Sequence, residues 1–307
     1  MTLPNFLIIG AAKSGTSSLW SYLRQHPQIY LPTKKEPNFF AFEGHELDFK
    51  GPGDAATIYN RIYKYSVTDR NSYLALFDGV TTETAIGEAS VRYLYYPQSV
   101  ENIAQNLPGV KMIVILRNPI ERLYSHYCMN AWTFGLEPLT LQQALAAEPE
   151  RRQQHWGWDW HYVGIGMYYQ QLKRYYQRFE PHQIRVFLYE DFLHSPLKIL
   201  QEIYAYLGVD ADFQADMSHK SKVAYWPQSR WAYQLLSQPN PFKSSLRRIL
   251  PKTTFKNVIN KAIALNQRAV PPLEPAIRAD LQEVFREDIA KLAQLIDRDL
   301  TRWLSNH

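Results

Sequence analysis

The chain has 307 residues, enough to bury a substantial core in one large α/β domain or in two smaller ones. Its net charge of +5 and pI near 9.0 favour anionic ligands in general, but so small an excess does not predict nucleic-acid binding. The single cysteine, Cys128, excludes an internal disulfide and a multi-cysteine metal site, and it suits a reducing, cytoplasmic compartment.

The histidines and the first apolar run exclude two further classes. None of the 9 histidines forms an H-x-x-x-H or HExxH cluster, so the sequence indicates no metal. The apolar run at residues 6–9 is too short for the core of a signal peptide or for a membrane span. We therefore expect a core strand there and no membrane span.

Residues 5–23, NFLIIGAAKSGTSSLWSYL, are predicted to form a strand, a tight turn and the start of a helix. Small residues in the turn let backbone N–H groups approach an anion, and the helix N-terminus adds about half a positive charge. The hydroxyl residues after the turn are typical helix caps. The predicted phosphate cradle comprises Ala12, Lys13, Ser14, Gly15, Thr16, Ser17 and Ser18.

This cradle differs from the loop of nucleotide triphosphatases, G-x-x-x-x-G-K-[ST]. Gly10 and Gly15 have the right spacing, but Thr16 follows Gly15, and the lysine of the loop, Lys13, comes before it. A glycine-rich turn can also be only a tight connection between a strand and a helix. The lysine, the hydroxyls and the apolar strand together favour phosphate binding.

Charged residues follow the second predicted strand, at residues 29–31. They are Lys34, Lys35 and Glu36, and an aromatic cluster that includes Phe39 comes next. Ligands bind at the carboxyl ends of parallel strands. Glu36 beside two lysines can be a simple surface ion pair, but its place on this loop, against an apolar wall, favours a general base.

Residues 84–96, TAIGEASVRYLYY, predict a brief strand followed by Glu88, Ser90 and Arg92. Pro97 is predicted to open a helix that runs to about residue 105. Residues 110–116, VKMIVIL, are the clearest buried strand of the chain.

The strand at residues 110–116 ends in Arg117, and Asn118 and Pro119 then cap and start a helix. At 3.6 residues per turn, Asn118, Arg122 and Ser125 share a face of that helix. An ATPase would place a magnesium-binding aspartate at such a strand end. Arg117 and Ser125 instead predict a second phosphate site without metal, with a structural ion pair as the alternative for Arg117.

The segment at residues 132–169 combines a predicted helix at 139–147 with an aromatic loop, HWGWDWHYVG, that contains Trp158. Such a segment is either a satellite of the core or a substrate lid, here over residues 130–165. The sequence leaves both alternatives open.

The rest of the chain predicts a helix at 167–179, a strand at 184–188 and a helix at 196–207, which extend the sheet. Lys220 and Lys222, in a polar loop, could reach a nucleotide or belong to a solvated surface. The sequence shows no repeat or long linker. We expect a single domain over residues 1–307, with a nucleotide-binding α/β core at 5–210 and a helical C-terminal region at 230–307.

With these motifs in order, the chain resembles the sulfotransferases that use 3′-phosphoadenosine 5′-phosphosulfate (PAPS), in particular the heparan-sulfate type and its bacterial relatives. The resemblance is carried by IIGAAKSGTSSL, KKEPNFF, GEASVRYLYYP, VILRNPIERLYSHY, YQQLKRYYQRF and FLYEDFLHSP, which together cover most of residues 5–210. It implies a central parallel sheet flanked by helices, with the donor lying across the strand ends.

The resemblance also implies roles for individual residues. Lys13 would contact the 5′-phosphate, Arg117 and Ser125 would hold the 3′-phosphate, and Glu36 would deprotonate the acceptor hydroxyl. Lys35, Phe39, Arg92 and Trp158 are predicted to contact the acceptor, and Lys220 and Lys222 the donor. The chain departs from the heparan-type pattern at Asn38, where a histidine is usual, and at Ala89, where a lysine is common.

The predicted reaction releases adenosine 3′,5′-bisphosphate and needs no metal. The acceptor hydroxyl can belong to a small molecule, a glycan, a lipid or a carrier-bound chain, and no nucleic-acid partner is expected. Two other classes stay open. A P-loop kinase or NTPase would need a lysine after Gly15, and a non-catalytic nucleotide-binding module would make Glu36 dispensable.

Overall fold

A computed structural model describes residues 2–218, 226–229 and 265–305, together with residues 232, 235, 259, 261 and 262. Its centre is a parallel sheet of five strands in the order β2-β3-β1-β4-β5. The strands are β1 (Phe6–Gly10), β2 (Ile29–Tyr30), β3 (Ala85–Ala89), β4 (Lys111–Leu116) and β5 (Ile184–Leu188). Two short segments, Trp226–Pro227 (β6) and Gln267–Arg268 (β7), form a separate antiparallel pair.

Helices cover both faces of the sheet in the described residues. In chain order they are α1 (Thr16–Leu23), α2 (Phe39–Phe42), α3 (Ala55–Ile58), α4 (Arg70–Leu74), α5 (Arg92–Tyr95), α6 (Pro97–Asn106), α7 (Pro119–Cys128), α8 (Leu141–Gln153), α9 (Tyr168–Arg178), α10 (Tyr189–His194), α11 (Pro196–Leu207) and α12 (Pro275–Leu295). Two π-helical segments, Tyr59–Tyr63 and Met129–Phe134, continue α3 and α7. Short 3-10 turns lie at Ala75–Phe77, Trp158–Trp160, Gly164–Gly166, Pro181–Gln183 and Thr301–Leu304.

The central strands are buried on both faces, as their apolar runs predict. All of β1 and the last five residues of β4 are buried, and each side of the sheet packs against its own hydrophobic cluster. One cluster contains Leu7 and Met112, and the other contains Ile8 and Ile113, because neighbouring residues of a strand point to opposite faces. The predicted α/β fold with a central parallel sheet is confirmed.

The parallel arrangement gathers four loops at one edge of the sheet. β1 leads into the predicted phosphate cradle, β2 into the loop with Glu36, β3 into the segment before Arg92, and β4 into Arg117. Strands of the same direction present their carboxyl ends together, so these loops meet although up to a hundred residues separate them.

The aromatic segment after α8 lies in the core. Trp158, Trp160 and Tyr162 are at most 3% exposed, and the side chains of Trp160 and Tyr162 belong to the larger hydrophobic cluster. These three aromatic side chains are thus enclosed, and a role of residues 130–165 as a substrate lid stays a prediction. α12 packs against α9 and α7, so this helix belongs to the same unit as the sheet.

The expectation of an entirely helical region from residue 230 onward is only partly met, because β7 lies within it. Among the described residues, no helix combines the length and the apolar character that crossing a bilayer requires. The same residues contain no group of three or more His, Cys, Asp or Glu side chains suited to a metal ion.

Candidate active site

The turn between β1 and α1 is built around Gly15. Gly15 is the N-cap of α1 with a φ of 85°, a left-handed conformation that favours glycine. A Cβ at this position would also lie 2.9 Å from the ring of Tyr189. No side chain caps α1, so the predicted capping by hydroxyls is wrong: Thr16 already begins the helix. The first N–H groups of α1 therefore keep their capacity to bind an anion.

The residues of the cradle differ in exposure. Ala12, Ser14 and Thr16 are buried, Lys13, Gly15 and Ser18 are half-buried, and Ser17 is exposed. Ser14 is fully enclosed, so neither its side chain nor its backbone lies at the open side of the cradle. The open side of the cradle is thus formed by backbone around Gly15 and by the side chain of Lys13.

Lys13 is a cation in a site that supplies no carboxylate. Its Nζ donates a hydrogen bond to Met129 Sδ at 3.3 Å, and no carboxylate of the described chain lies within salt-bridge distance of it. Burial, together with the positive charges of Arg117 and Arg122, lowers the pKa of Lys13 to about 8. A buried ammonium without an anion is an incomplete ion pair, which a bound phosphate would complete.

Arg117 lies against the cradle itself. Its Nη1 donates to the carbonyl oxygen of Lys13 at 3.2 Å, and its guanidinium lies over the ring of Tyr189, 5.0 Å from the centroid. The guanidinium of Arg117 therefore contacts the backbone of the cradle at Lys13, and its charge acts on the Lys13 ammonium. Ser125 is half-buried on α7, which starts at Pro119 with Asn118 as its cap, as predicted.

A third cation, Arg122, also lies near the cradle. The sequence analysis names it only as sharing a helix face with Asn118 and assigns it no role. It is fully buried, donates to the carbonyl oxygen of Tyr162, and places Nη1 3.2 Å from His126 Nδ1. Burial and the nearby Arg122 lower the pKa of His126 well below its usual value, so His126 is neutral. Among the described residues, no carboxylate thus lies within salt-bridge distance of Lys13, Arg117 or Arg122.

Glu36 lies at the end of β2 on the same edge of the sheet. Its Oε1 is 2.5 Å from Lys35 Nζ, and its Oε2 accepts a hydrogen bond from the backbone N–H of Val91 at 2.9 Å. The expected apolar wall is therefore wrong: a cation and a peptide N–H surround this carboxylate. Glu36 therefore forms the ion pair with Lys35 and at the same time faces a cavity.

This cavity has a volume of about 390 Å³. Its lining residues are Lys34, Lys35, Glu36, Asn38, Ile62, Tyr65, Ser66 and Arg92. The positive charge of Lys35 is among the causes that lower the pKa of Lys13, so the cavity and the cradle are within electrostatic reach of each other. The arrangement can hold an anionic group at the cradle and a second reactant beside Glu36.

Two of the four predicted acceptor contacts line the cavity, namely Lys35 and Arg92. The other two are in the core. Phe39 is 1% exposed and stacks on Tyr73, with 4.2 Å between the centroids, and Trp158 is 3% exposed. The structure corrects the prediction for Phe39 and Trp158, because enclosed rings offer an acceptor no surface.

Trp158 instead supports Arg92. The guanidinium of Arg92 lies between Trp158 and Tyr63, 4.7 Å and 5.3 Å from their ring centroids, and its Nη2 is 3.0 Å from each Oδ atom of Asp159. Asp159 neutralises Arg92 and Glu36 pairs with Lys35, so among the described residues Lys34 is the cation of the cavity without a carboxylate at salt-bridge distance. Lys220 and Lys222, predicted to reach the donor, lie outside the described residues.

Comparisons with known proteins agree on one family. The model of the family described as "Sulfotransferase family" matches residues 4–213. The crystal structure of a sulfotransferase from Alicyclobacillus acidocaldarius is 35% identical in sequence, with a TM-score of 0.76 over 99% of this chain and 100% of that chain.

Curated relatives match over smaller shares of their length. The membrane-associated sulfotransferase kil1 of Dictyostelium discoideum is 31% identical over 127 residues, 41% of this chain and 23% of that protein. The human bifunctional heparan sulfate N-deacetylase/N-sulfotransferase 3 is 23% identical over 313 residues, 98% of this chain and 31% of that protein. The chain thus spans about a quarter to a third of the length of these relatives.

Proposed function

The chain belongs to the sulfotransferase family, and from this premise we propose that it transfers a sulfuryl group from PAPS to an acceptor hydroxyl. Membership confirms the family and the enzyme class that the sequence motifs predict. The single observation that supports the proposed donor site is the hydrogen bond from Arg117 Nη1 to the carbonyl oxygen of Lys13, because it joins the end of β4 to the cradle after β1.

The cradle and Lys13 would hold the 5′ end of the donor. No side chain caps the start of α1, and no carboxylate of the described residues lies within salt-bridge distance of the Lys13 ammonium, so both can donate to a phosphate. Arg117, a permanently charged and planar group, would hold the 3′-phosphate with Ser125. This second contact would select PAPS over ATP, which lacks a 3′-phosphate.

Glu36 would act as the general base. PAPS supplies the sulfuryl group, whose bond to the 5′-phosphate breaks as a bond to the acceptor oxygen forms. The Glu36 carboxylate accepts the hydroxyl proton, a contribution of ~10²–10⁴ in rate for a positioned base. Lys13 and the start of α1 stabilise the charge that grows on the leaving phosphate. Lys35 and the Val91 N–H fix the direction of the carboxylate.

The acceptor would enter the cavity beside Glu36, and it is in kind a small molecule or a glycan. A volume of about 390 Å³ admits one sugar or phenol ring and part of a neighbouring group. A lipid alcohol or a carrier-bound hydroxyl is also proposed, since only the reacting end needs to fit. We further propose a cytoplasmic location, because the single cysteine allows no internal disulfide.

Ligand binding and sulfate transfer test the proposal together. Adenosine 3′,5′-bisphosphate should raise the melting temperature of the protein more than ATP with Mg²⁺ does, and Lys13→Ala should lose this stabilisation. Radiolabelled PAPS should then label at least one member of a panel of phenols, sugars and fatty alcohols. Stronger stabilisation by ATP would favour a kinase or NTPase, and binding without transfer would favour a non-catalytic module.

A further inference from the structure

A buried carboxyl lies directly behind the loop that carries Glu36. Glu88, in β3, is fully buried, and its Oε2 accepts a hydrogen bond from Ser90 Oγ at 2.8 Å. Ser90 is fully buried too, and its Oγ accepts a hydrogen bond from the backbone N–H of Asn38 at 2.9 Å. A chain of hydrogen bonds therefore runs from Glu88 through Ser90 to the loop.

The end of β3 holds the same loop at two further points. The N–H of Glu36 donates to the carbonyl oxygen of Ala89 at 2.9 Å, and the N–H of Val91 donates to Glu36 Oε2 at 2.9 Å. Glu36 and Asn38 have φ values of 60° and 57°, in the left-handed region that side chains other than glycine rarely adopt. Such residues persist only where the surrounding structure holds them.

We infer that Glu88 is a positioning residue for sulfuryl transfer, which orients the Ser90 hydroxyl and thereby fixes the loop that presents Glu36 to the acceptor. The inference rests on the proposed function, because this position matters for catalysis only if Glu36 meets the acceptor. Ser90 has one hydroxyl hydrogen. Since Glu88 accepts it, the oxygen directs a lone pair at the N–H of Asn38. These two hydrogen bonds together hold the Ser90 hydroxyl in one orientation.

The protonation state of Glu88 decides whether the arrangement is stable. Burial raises the pKa of Glu88 to about 8, despite hydrogen bonds from Tyr93 and Ser90, and the Glu36 carboxylate adds to the rise. The groups that face Glu88 are Ser90 beyond the end of β3, Tyr73 in α4, Tyr93 in α5, and Lys35 and Glu36 in the loop. Near pH 7 Glu88 is neutral and does not repel Glu36. Above pH 8 a buried second carboxylate would displace the loop.

Three variants separate positioning from general stability. Glu88→Gln keeps the shape and an oxygen that can accept from Ser90, but it cannot ionise. Ser90→Ala removes the bridging hydroxyl. Ser99→Ala is the matched control, because Ser99 is an equally buried serine in α6. Each variant is first checked for binding of adenosine 3′,5′-bisphosphate, which should stay within about twofold of wild type since the cradle is unchanged.

The first readout is amide hydrogen exchange at pH 7, which needs no acceptor. In Ser90→Ala, the amides of Glu36 and Asn38 should exchange about tenfold faster than in wild type, since the buried hydrogen bond from the Asn38 N–H to Ser90 Oγ is lost. Residues 6–19 should be unchanged, and Glu88→Gln and Ser99→Ala should match wild type throughout. If these amides exchanged in Ser90→Ala at the same rate as in wild type, the inference would be overturned.

The second readout is kcat at saturating PAPS, with the labelled acceptor from the panel, between pH 6.5 and 9.5. Wild-type kcat should fall above pH 8, whereas Glu88→Gln should stay level to pH 9. Ser90→Ala should lose about tenfold in kcat with an unchanged KM for PAPS. An alkaline fall that is the same in Glu88→Gln would overturn the inference. If wild type labels no acceptor, the proposed function fails, while the role of Glu88 is still judged by amide exchange of Glu36 and Asn38 at pH 9. This exchange should be faster in wild type than in Glu88→Gln, and equal rates would overturn the inference.

Discussion

Donor binding should depend on pH through Lys13, whose environment penalises its charged form. Burial, then Arg117 and Arg122, lower the pKa of Lys13 from 10.5 to about 8. This shift corresponds to ~3 kcal/mol in favour of the neutral amine, at about 1.36 kcal/mol per pKa unit. A bound phosphate reverses the balance, since an adjacent anion favours the ammonium. Binding therefore requires a proton on Lys13.

The direction and the size of the pH effect on Kd follow from this requirement. At pH 7 about nine in ten Lys13 side chains are charged, and at pH 9 about one in ten, so the Kd of adenosine 3′,5′-bisphosphate should rise about tenfold between these pH values. The phosphates of the ligand are almost fully ionised over this range and add little. At pH 8, binding should take up about half a proton per molecule.

Isothermal titration calorimetry in two buffers of different ionisation enthalpy measures both the Kd and the number of protons taken up on binding. Lys13→Met should bind more weakly, with a Kd that no longer changes between pH 7 and 9. Glu88→Gln should keep the wild-type dependence, which separates Lys13 from the other group with a pKa of about 8. A constant wild-type Kd, or a tenfold change that survives in Lys13→Met, would refute the reasoning.

Three further predictions concern the base, the 3′-phosphate and the turn. Glu36→Gln should lower kcat by ~10²–10⁴ while calorimetry finds adenosine 3′,5′-bisphosphate binding intact; full activity would remove Glu36 as the base. Arg117→Lys should weaken that ligand by about tenfold, but leave adenosine 5′-phosphosulfate almost unaffected, because a point charge replaces the planar fork; equal losses would contradict a 3′-phosphate contact. Gly15→Ala should lower the melting temperature more than Gly44→Ala does. Both glycines have positive φ values, 85° and 72°, but only at Gly15 would the new Cβ meet a ring, at 2.9 Å; equal shifts would exclude the clash.

The strands, and the order of the site motifs that follow them, can be predicted from the sequence because their signals are local. The strand at residues 184–188 and the helix at 196–207 have the bounds that the pattern predicts, and Asn118 caps α7 as its side chain suggests. These features depend on neighbours within a few residues, which a single sequence displays. The cations at the ends of β1 and β4 meet because parallel strands bring them there.

Two of the errors share one cause, which is that a partner lies far along the chain. Phe39 was placed beside the acceptor, but its stacking partner Tyr73 takes it into the core. Glu36 was placed against an apolar wall, but the N–H that binds it belongs to Val91, on another strand end. The sequence of a loop does not show which of its aromatic and charged residues tertiary packing will bury.

Asn38 shows how a departure from the heparan-type pattern can preserve the geometry. Its φ of 57° is a conformation that asparagine tolerates better than most residues, and its Nδ2 donates to the carbonyl oxygen of Glu36 at 2.8 Å and to Ser66 Oγ at 3.1 Å. The amide thus fastens the loop from the cavity side, while Ser90 fastens it from behind. A side chain at this position can therefore act on the reaction by holding Glu36, without touching the acceptor.

The electrostatic design of the site follows from what its cations lack. Lys13 and Arg122 are kept from water, and within the described chain neither has a carboxylate at salt-bridge distance, so each retains an uncompensated cost of burial. A ligand that brings negative charge to the cradle offsets this cost, whereas a neutral ligand of the same shape does not. We therefore expect affinity for the donor to arise from a local imbalance of charge, which the modest net charge of +5 over the whole chain does not reveal.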